Sequence, residues 1–210
     1  MVIPYRYNVG LTLSLEQIIS MVKIAVLASG SGSNALKLFR YFENSRLARV
    51  EMIVTNNPKA GVIDRFQGIK TTILVFNPST DSSQTLEALN SRVDVLLLAG
   101  YMRLIPKDWT NIFHNRILNI HPALLPKHGG KGMYGKRVHK AVSESGDVES
   151  GITVHMVNER YDEGAIIAQF KVQIEPGEAP GLIEQKVRSL EKEHYAPTAA
   201  QWIMGLTSSL

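Results

Sequence analysis

Short apolar runs alternate with stretches of helical period along most of this chain. Residues 24–28 are continuously apolar and read as a buried strand, followed by the turn Gly30-Ser31-Gly32-Ser33-Asn34 and a helical pattern over 35–42 with Leu36, Phe39 and Phe42 on one face. Residues 50–55 predict a second strand, closed by Asn56-Asn57-Pro58; a short helix over 60–66 and a turn at Gly68 lead to a third strand over 72–76. Residues 85–90 read as a helix, 93–99 as a strong central strand ended by Gly100, 107–113 as a helix, and 117–120 as the next strand. A basic, glycine-rich loop precedes a helix over 138–143, two strands over 152–157 and 165–174, and a long helix over 180–203 that Pro197 is expected to interrupt.

Buried strands alternating with helices predict an α/β fold, with a mostly parallel sheet and helices on both faces. The last two strands are close in sequence, which suits an antiparallel edge. Ligands in such sheets bind outside the carboxyl ends of the strands. That rule gathers residues 30–34, 100–103, 119–122 and 158–162 on one rim.

The chain has 210 residues, 44% of them hydrophobic, enough for a single domain with a substantial core. It contains no cysteine, which excludes disulfides, a thiolate nucleophile and cysteine-ligated zinc, and fits a reducing, cytoplasmic setting. The net charge is +4, and the densest basic group is Lys127, Lys131, Lys136, Arg137 and Lys140. No aromatic platform or recognised binding motif accompanies that group, so nucleic acid is not the expected partner. No apolar run approaches the ~20 residues of a membrane span, so no membrane association is expected. Residues 1–20 make a poor signal peptide, and Met21-Val22-Lys23 leads straight into the first strand. They are expected to be a dispensable extension, with 21–210 forming one catalytic domain.

The turn at 30–34 formally fits a relaxed dinucleotide fingerprint, but the second strand ends Val54-Thr55-Asn56-Asn57 with no acidic residue for a ribose. Its serines, its asparagine and the helix N-terminus behind them suit a terminal phosphate ester. Asn119 and His121 share one side of their strand, and Pro122 stops that strand just beyond them. An amide can donate to a developing oxyanion, and an imidazole can move a proton near neutral pH. Asp162 opens the turn Asp162-Glu163-Gly164 after the strand that carries His155, a polar residue in an apolar run that needs a partner. This set has no serine or cysteine nucleophile, which favours direct acyl transfer between two bound substrates. No closely spaced third ligand supports a metal site.

Four ordered segments, IAVLASGSGSN at 24–34, LAGYMRLI at 98–105, LNIHPALLPK at 118–127 and GITVHMVNERYDEG at 151–164, with Glu191 and Tyr195 in the last helix, resemble the phosphoribosylglycinamide formyltransferases of purine synthesis. The resemblance runs from Lys23 to about Ile203. It implies a Rossmann-like formyltransferase fold, with a long C-terminal helix, that moves a formyl group from 10-formyltetrahydrofolate to the amine of glycinamide ribonucleotide. It further implies that Gly32, Ser33 and Asn34 hold the substrate phosphate, with Glu191 nearby. Met102, Arg103, Leu104 and Ile105 would line the pterin slot, with Asn119 reaching it. Asn158, Glu159 and Asp162 would form the slot's opposite wall. Asn119, His121 and Asp162 would be catalytic, with His155 in support, no metal, and a monomer or homodimer as the working unit.

Two departures from the family pattern stand out. The arginine that helps hold the folate has no clear counterpart, Arg92 being the nearest available, and the loop 128–139 (HGGKGMYGKRVH) is longer and more basic than usual. Lys131 or Lys136 would reach the folate's glutamate tail, or the loop is simply solvated. The alternative on the same fold is a formyltetrahydrofolate hydrolase. A methionyl-tRNA formyltransferase would normally carry a second domain.

Overall fold

The computed structural model describes residues 21–208; the expectation for residues 1–20 lies outside them. Seven strands and six helices follow in the order β1 (Val22–Leu27), α1 (Ser33–Phe42), β2 (Ala48–Thr55), α2 (Gly61–Arg65), β3 (Thr72–Val75), α3 (Ser82–Asn90), β4 (Val95–Leu98), α4 (Lys107–Ile112), β5 (Ile117–His121), α5 (Lys136–Glu144), β6 (Glu149–Met156), β7 (Ile166–Gln173) and α6 (Pro180–Thr207). They form one sheet in the order β3-β2-β1-β4-β5-β6-β7. The first five strands pair in parallel and the last two antiparallel, as the sequence pattern predicts. Among the described residues no helix is long and apolar enough to cross a membrane.

Both faces of the sheet are covered, which is why its central strands read as unbroken apolar runs. Successive β1 side chains diverge: Ile24 and Val26 join a core with Phe42, Val138, Ile183 and Ile203, whereas Ala25 and Leu27 join one with Leu89, Trp109 and Phe113. Trp109 is 1% exposed and stacks on Phe76 at 5.5 Å between centroids; truncating such a residue costs ~3–5 kcal/mol.

Pro197 does not interrupt the last helix, which runs unbroken from Pro180 to Thr207. Its packing outweighs the lost amide: Tyr195, Ala196, Ala199, Ala200 and Ile203 are all buried against the sheet. The buried Thr198 hydroxyl also donates to the His194 carbonyl at 2.7 Å, which occupies an acceptor in the disturbed turn. Tyr195 is the main tether. Its hydroxyl donates to the Leu98 carbonyl at 2.8 Å and lies 3.4 Å from that of Leu118. It thereby fastens α6 to the carboxyl ends of β4 and β5, and burial pushes its phenol pKa up.

Candidate active site

A cavity of about 380 Å³ opens at those carboxyl ends, within the roughly 300–1,000 Å³ range of small-molecule sites. The turn after β1 forms one end of it, through Gly30, Gly32, Ser33 and Asn34. Gly32 caps α1 with φ of +73°, and a Cβ there would sit 2.5 Å from the Val62 side chain, so both backbone and space demand glycine. Ser29 locks the turn in place: its hydroxyl donates to Asn56 at 2.6 Å and accepts the Met102 amide at 3.1 Å. The start of a ten-residue helix therefore faces the cavity, which favours an anion.

Helix α6 lines the same end. Asn34 donates to Glu191 at 3.0 Å, and burial raises the Glu191 carboxyl above its ordinary value, partly offset by that bond. Glu184 and Arg188 also line the cavity and pair with each other at 2.6 Å. His139 of α5 is buried beside them, and its Nδ1 has no hydrogen-bond partner. Burial lowers its pKa, with Glu184 opposing. Sequence reasoning missed His139, Glu184 and Arg188. Positions 184, 188 and 191 fall on one helical face, a usable signal; for His139 the sequence carried none.

At the centre of the cavity β5 and β6 pair antiparallel, and the register sets Asn119 directly opposite His155. Both nitrogens of the His155 ring and the Asn119 amide find partners. His155 Nδ1 lies 2.8 Å from the Met156 carbonyl, which can only accept, so that nitrogen carries a hydrogen. With the hydrogen on Nδ1, Nε2 is the acceptor, and Asn119 Nδ2 donates to it at 3.0 Å. This fixes the orientation of the Asn119 amide and leaves it a second N–H and its oxygen.

The same logic applies to His121. Its Nε2 donates to the His128 carbonyl at 2.9 Å, and its Nδ1 lies 3.5 Å from Asp162 Oδ2. Asp162 Oδ1 lies 3.6 Å from His155 Nε2, so one carboxylate sits between two imidazoles. Asp162 itself has φ of +57°, and its Oδ2 accepts the Gly130 amide at 2.9 Å. Burial acts to raise the Asp162 pKa, but its partners, the His121 imidazole and the Gly130 amide among them, outweigh it and hold the carboxyl below its usual range. Burial lowers the His121 pKa against the pull of Asp162 and of the His128 carbonyl. Gly164 makes the turn possible, because a Cβ there would collide with the Met156 carbonyl.

Met102, Arg103, Leu104 and Ile105 line the other end of the cavity, with Tyr101 and Tyr161. Tyr161 accepts the Leu104 amide at 3.1 Å, and burial pushes the Tyr101 phenol up to about 12, so it stays a neutral donor. Of the expected opposite wall, Asp162 is present, but Asn158 and Glu159 line a separate, more open hollow beside α4 instead. Arg160 and Tyr161 take their place along the cavity. Arg92 lies elsewhere, bonded to Thr72 at 3.3 Å and 3.7 Å from Glu51 at the far strands. Gly132, Met133 and Tyr134 of the long loop line the cavity, whereas Lys131 and Lys136 do not. Among the described residues no group of acidic or histidine side chains could hold a metal ion.

The formyl transferase family model matches residues 22–199. The chain is 42% identical to phosphoribosylglycinamide formyltransferase, chloroplastic, of Arabidopsis thaliana, over 82% of this chain and 61% of that protein. It thus spans about three-fifths of the plant relative's length. It is 34% identical to phosphoribosylglycinamide formyltransferase of Haemophilus influenzae, over 87% of each chain. Its fold is similar to the crystal structure of glycinamide ribonucleotide transformylase 1 from Geobacillus kaustophilus, with a TM-score of 0.78 and 34% identity over 87% of this chain and 99% of that one.

Proposed function

The chain belongs to the formyl transferase family, and from that premise we propose that it transfers a formyl group from 10-formyltetrahydrofolate to the amine of glycinamide ribonucleotide in purine synthesis. The observation that carries this reading is the order of groups along one cavity. An anion-binding helix start stands at one end, an amide with two imidazoles and a carboxylate in the middle, and a slot of backbone, apolar and aromatic groups at the other.

The ribonucleotide phosphate rests on the amides of Gly32, Ser33 and Asn34, and Glu191 hydrogen-bonds the sugar side. The pterin lies along Met102–Ile105, with Arg160 and Tyr161 opposite. These contacts bring the amine against the formyl carbon. The amine lone pair bonds to that carbon, and the π electrons of the carbonyl move onto the formyl oxygen. Asn119, held by His155, donates its second N–H to the oxyanion, a contact typically worth ~10²- to 10³-fold in rate. His121 enters this step neutral, with its hydrogen on Nε2 toward the His128 carbonyl and its Nδ1 free to take a proton beside the same intermediate. The amine then gives up one proton to Asp162, which shares it with His121 Nδ1. As the carbon–N10 bond breaks, the oxyanion electrons reform the carbonyl and N10 takes the proton back.

Incubation with glycinamide ribonucleotide and 10-formyltetrahydrofolate tests this directly. Deformylated folate and formylated ribonucleotide should appear in equal amounts, and only when both substrates are present. Folate product without the ribonucleotide identifies the hydrolase instead; no product with either identifies a binding protein.

A further inference from the structure

The loop residue His128 lies outside the cavity lining, yet its backbone meets the centre of the site. Residues 128–130 offer two opposite backbone poles. The His128 carbonyl accepts from His121 Nε2 at 2.9 Å, and the Gly130 amide donates to Asp162 Oδ2 at 2.9 Å. A carbonyl against an imidazole and an amide against a carboxylate is the polarity that favours a positive His121 facing a negative Asp162. The segment is close-fitted: a Cβ on Gly129 would stand 2.5 Å from the Leu125 side chain and 3.3 Å from Asp162 Cβ.

Something must hold this segment, because His128 has φ of +54°, a conformation that is costly for a residue with a side chain. Its own side chain supplies the anchor. His128 Nε2 lies 2.8 Å from Asp147 Oδ2, and Lys127 occupies the other oxygen of Asp147 at 2.9 Å. Asp147 sits in the turn between α5 and β6, and the His128 and Asp147 side chains are only 14% and 18% exposed. The bond from His128, followed by that from Lys127, holds the Asp147 carboxyl down at about 2. On the other side of the segment, Leu125 is fixed to β6 and β7 through Thr153 and Gln169. Between Leu125 and Gly130 the described contacts include one side-chain anchor that reaches the His121 clamp directly, the His128–Asp147 pair.

We propose that His128 is a positioning residue for this reaction: pinned to Asp147, it holds the backbone of 128–130 as a clamp that keeps His121 and Asp162 aligned. The proposal rests on the reading of His121 as a reacting group. Neutral His121 is held with its hydrogen on Nε2, and any proton it gains goes to Nδ1, facing Asp162. The titratable neighbours that bear on His121 are Asp162, His155, His128 and His139.

The test is Asp147→Ala in the full chain, a substitution that lies outside both the cavity lining and residues 128–130. Misplacement of a reacting group by a fraction of an ångström predicts a loss of about tenfold in kcat, with KM for both substrates within about twofold. The acid limb of the kcat profile should move to lower pH, because His121 loses a bond that raises its pKa. Asp147→Asn, which keeps an acceptor for His128, should fall between. His128→Gly suits the left-handed backbone but lacks the pin, so it should match Asp147→Ala, and the double variant should be no worse than either. In a His121→Ala background, Asp147→Ala should change nothing further. Imidazole ¹⁵N spectra of the wild type should show His121 as the Nε2–H form at neutral pH, and a mixture of forms in Asp147→Ala. Wild-type kcat and pH profile in a folded Asp147→Ala, or strictly multiplicative losses in the double variant, would overturn the proposal while leaving the function intact. Wild-type turnover in His121→Ala would instead remove the functional reading on which it rests.

Discussion

Two regions of the cavity, one end and the centre, are built in opposite ways. The anion end comes from one contiguous turn, Gly30 to Asn34, whose functional groups are largely backbone and whose shape is set by Gly32 against Val62. The proposed acid–base centre comes from residues on β5, β6 and the turn after β6, and it is built of side chains that come together because two strands pair in one register. A backbone cradle tolerates side-chain change but not a change of φ or bulk. A side-chain cluster tolerates neither loss of a member nor a shift of register. The first should therefore govern substrate binding and the second turnover.

The strongest way to break that division is at the centre. Asn119→Ala and His121→Ala should each lose ~10²- to 10³-fold in kcat while titration calorimetry finds ribonucleotide binding nearly unchanged. A comparable loss of ribonucleotide affinity would show that the two regions are not separable. Asp162→Asn should cost ~10²-fold, within the usual span of proton-transfer catalysis. It should also shift the acid limb of the rate profile to lower pH, since the Asp162 charge is what raises the His121 pKa. A shift the other way would mean that the limb belongs to a different group.

At the anion end the expected effect is smaller and of another kind. Glu191→Gln keeps the hydrogen bond from Asn34 but removes a carboxylate, and it should raise KM for the ribonucleotide by up to about tenfold, the scale of one charge-assisted bond, with kcat little altered. Steady-state kinetics with the folate saturating would reveal a kcat effect if Glu191 belongs to the centre instead.

The mildest test is stability against pH. His121 and His139 have folded-state pKa values lowered from 6.5 by burial, so the fold prefers their neutral forms. Their contribution is complete above 6.5 and is lost as pH falls below it. Asp147, held at about 2 against an ordinary 3.8, contributes above 3.8 and is lost between those values. Melting temperature should thus be level above neutrality, decline below pH 6.5 and drop again below pH 3.8. Asp147→Ala should remove the part of that last drop that Asp147 contributes.

The contrast between the two regions also explains what was legible in the sequence. Periodicity located every strand and helix, because burial on both faces of the sheet writes itself as apolar runs. Boundaries moved where packing extends an element, as in α6 through Pro197. The turn at 30–34 was readable because its parts are adjacent. Asn119 and His121 were readable because a strand puts alternate residues on one side. The direct contact between Asn119 and His155 was not, since nothing in the sequence gives the register of β5 on β6. His139 was missed for a related reason, since it reaches the cavity from an element whose face is decided by tertiary packing, whereas Arg188 shares the helical face of Glu191 and could have been found from it. Asn158 and Glu159 follow the motif that carries Asp162 but turn into a different hollow, because a tight turn disperses neighbouring side chains.

That register has a consequence for how the length of this chain can vary. Residues 122–148, which separate β5 from β6, hold a loop and a helix, and Asn119 meets His155 through a ladder that does not depend on how many residues lie between. Insertions and deletions in the outer part of that connection should be absorbed there without changing the pairing, leaving the centre intact. Inside β6 the opposite holds. One residue gained or lost between Gly151 and His155 turns the His155 side chain to the other face of the sheet. Drift in length is therefore confined to the connection, while the strands keep their count.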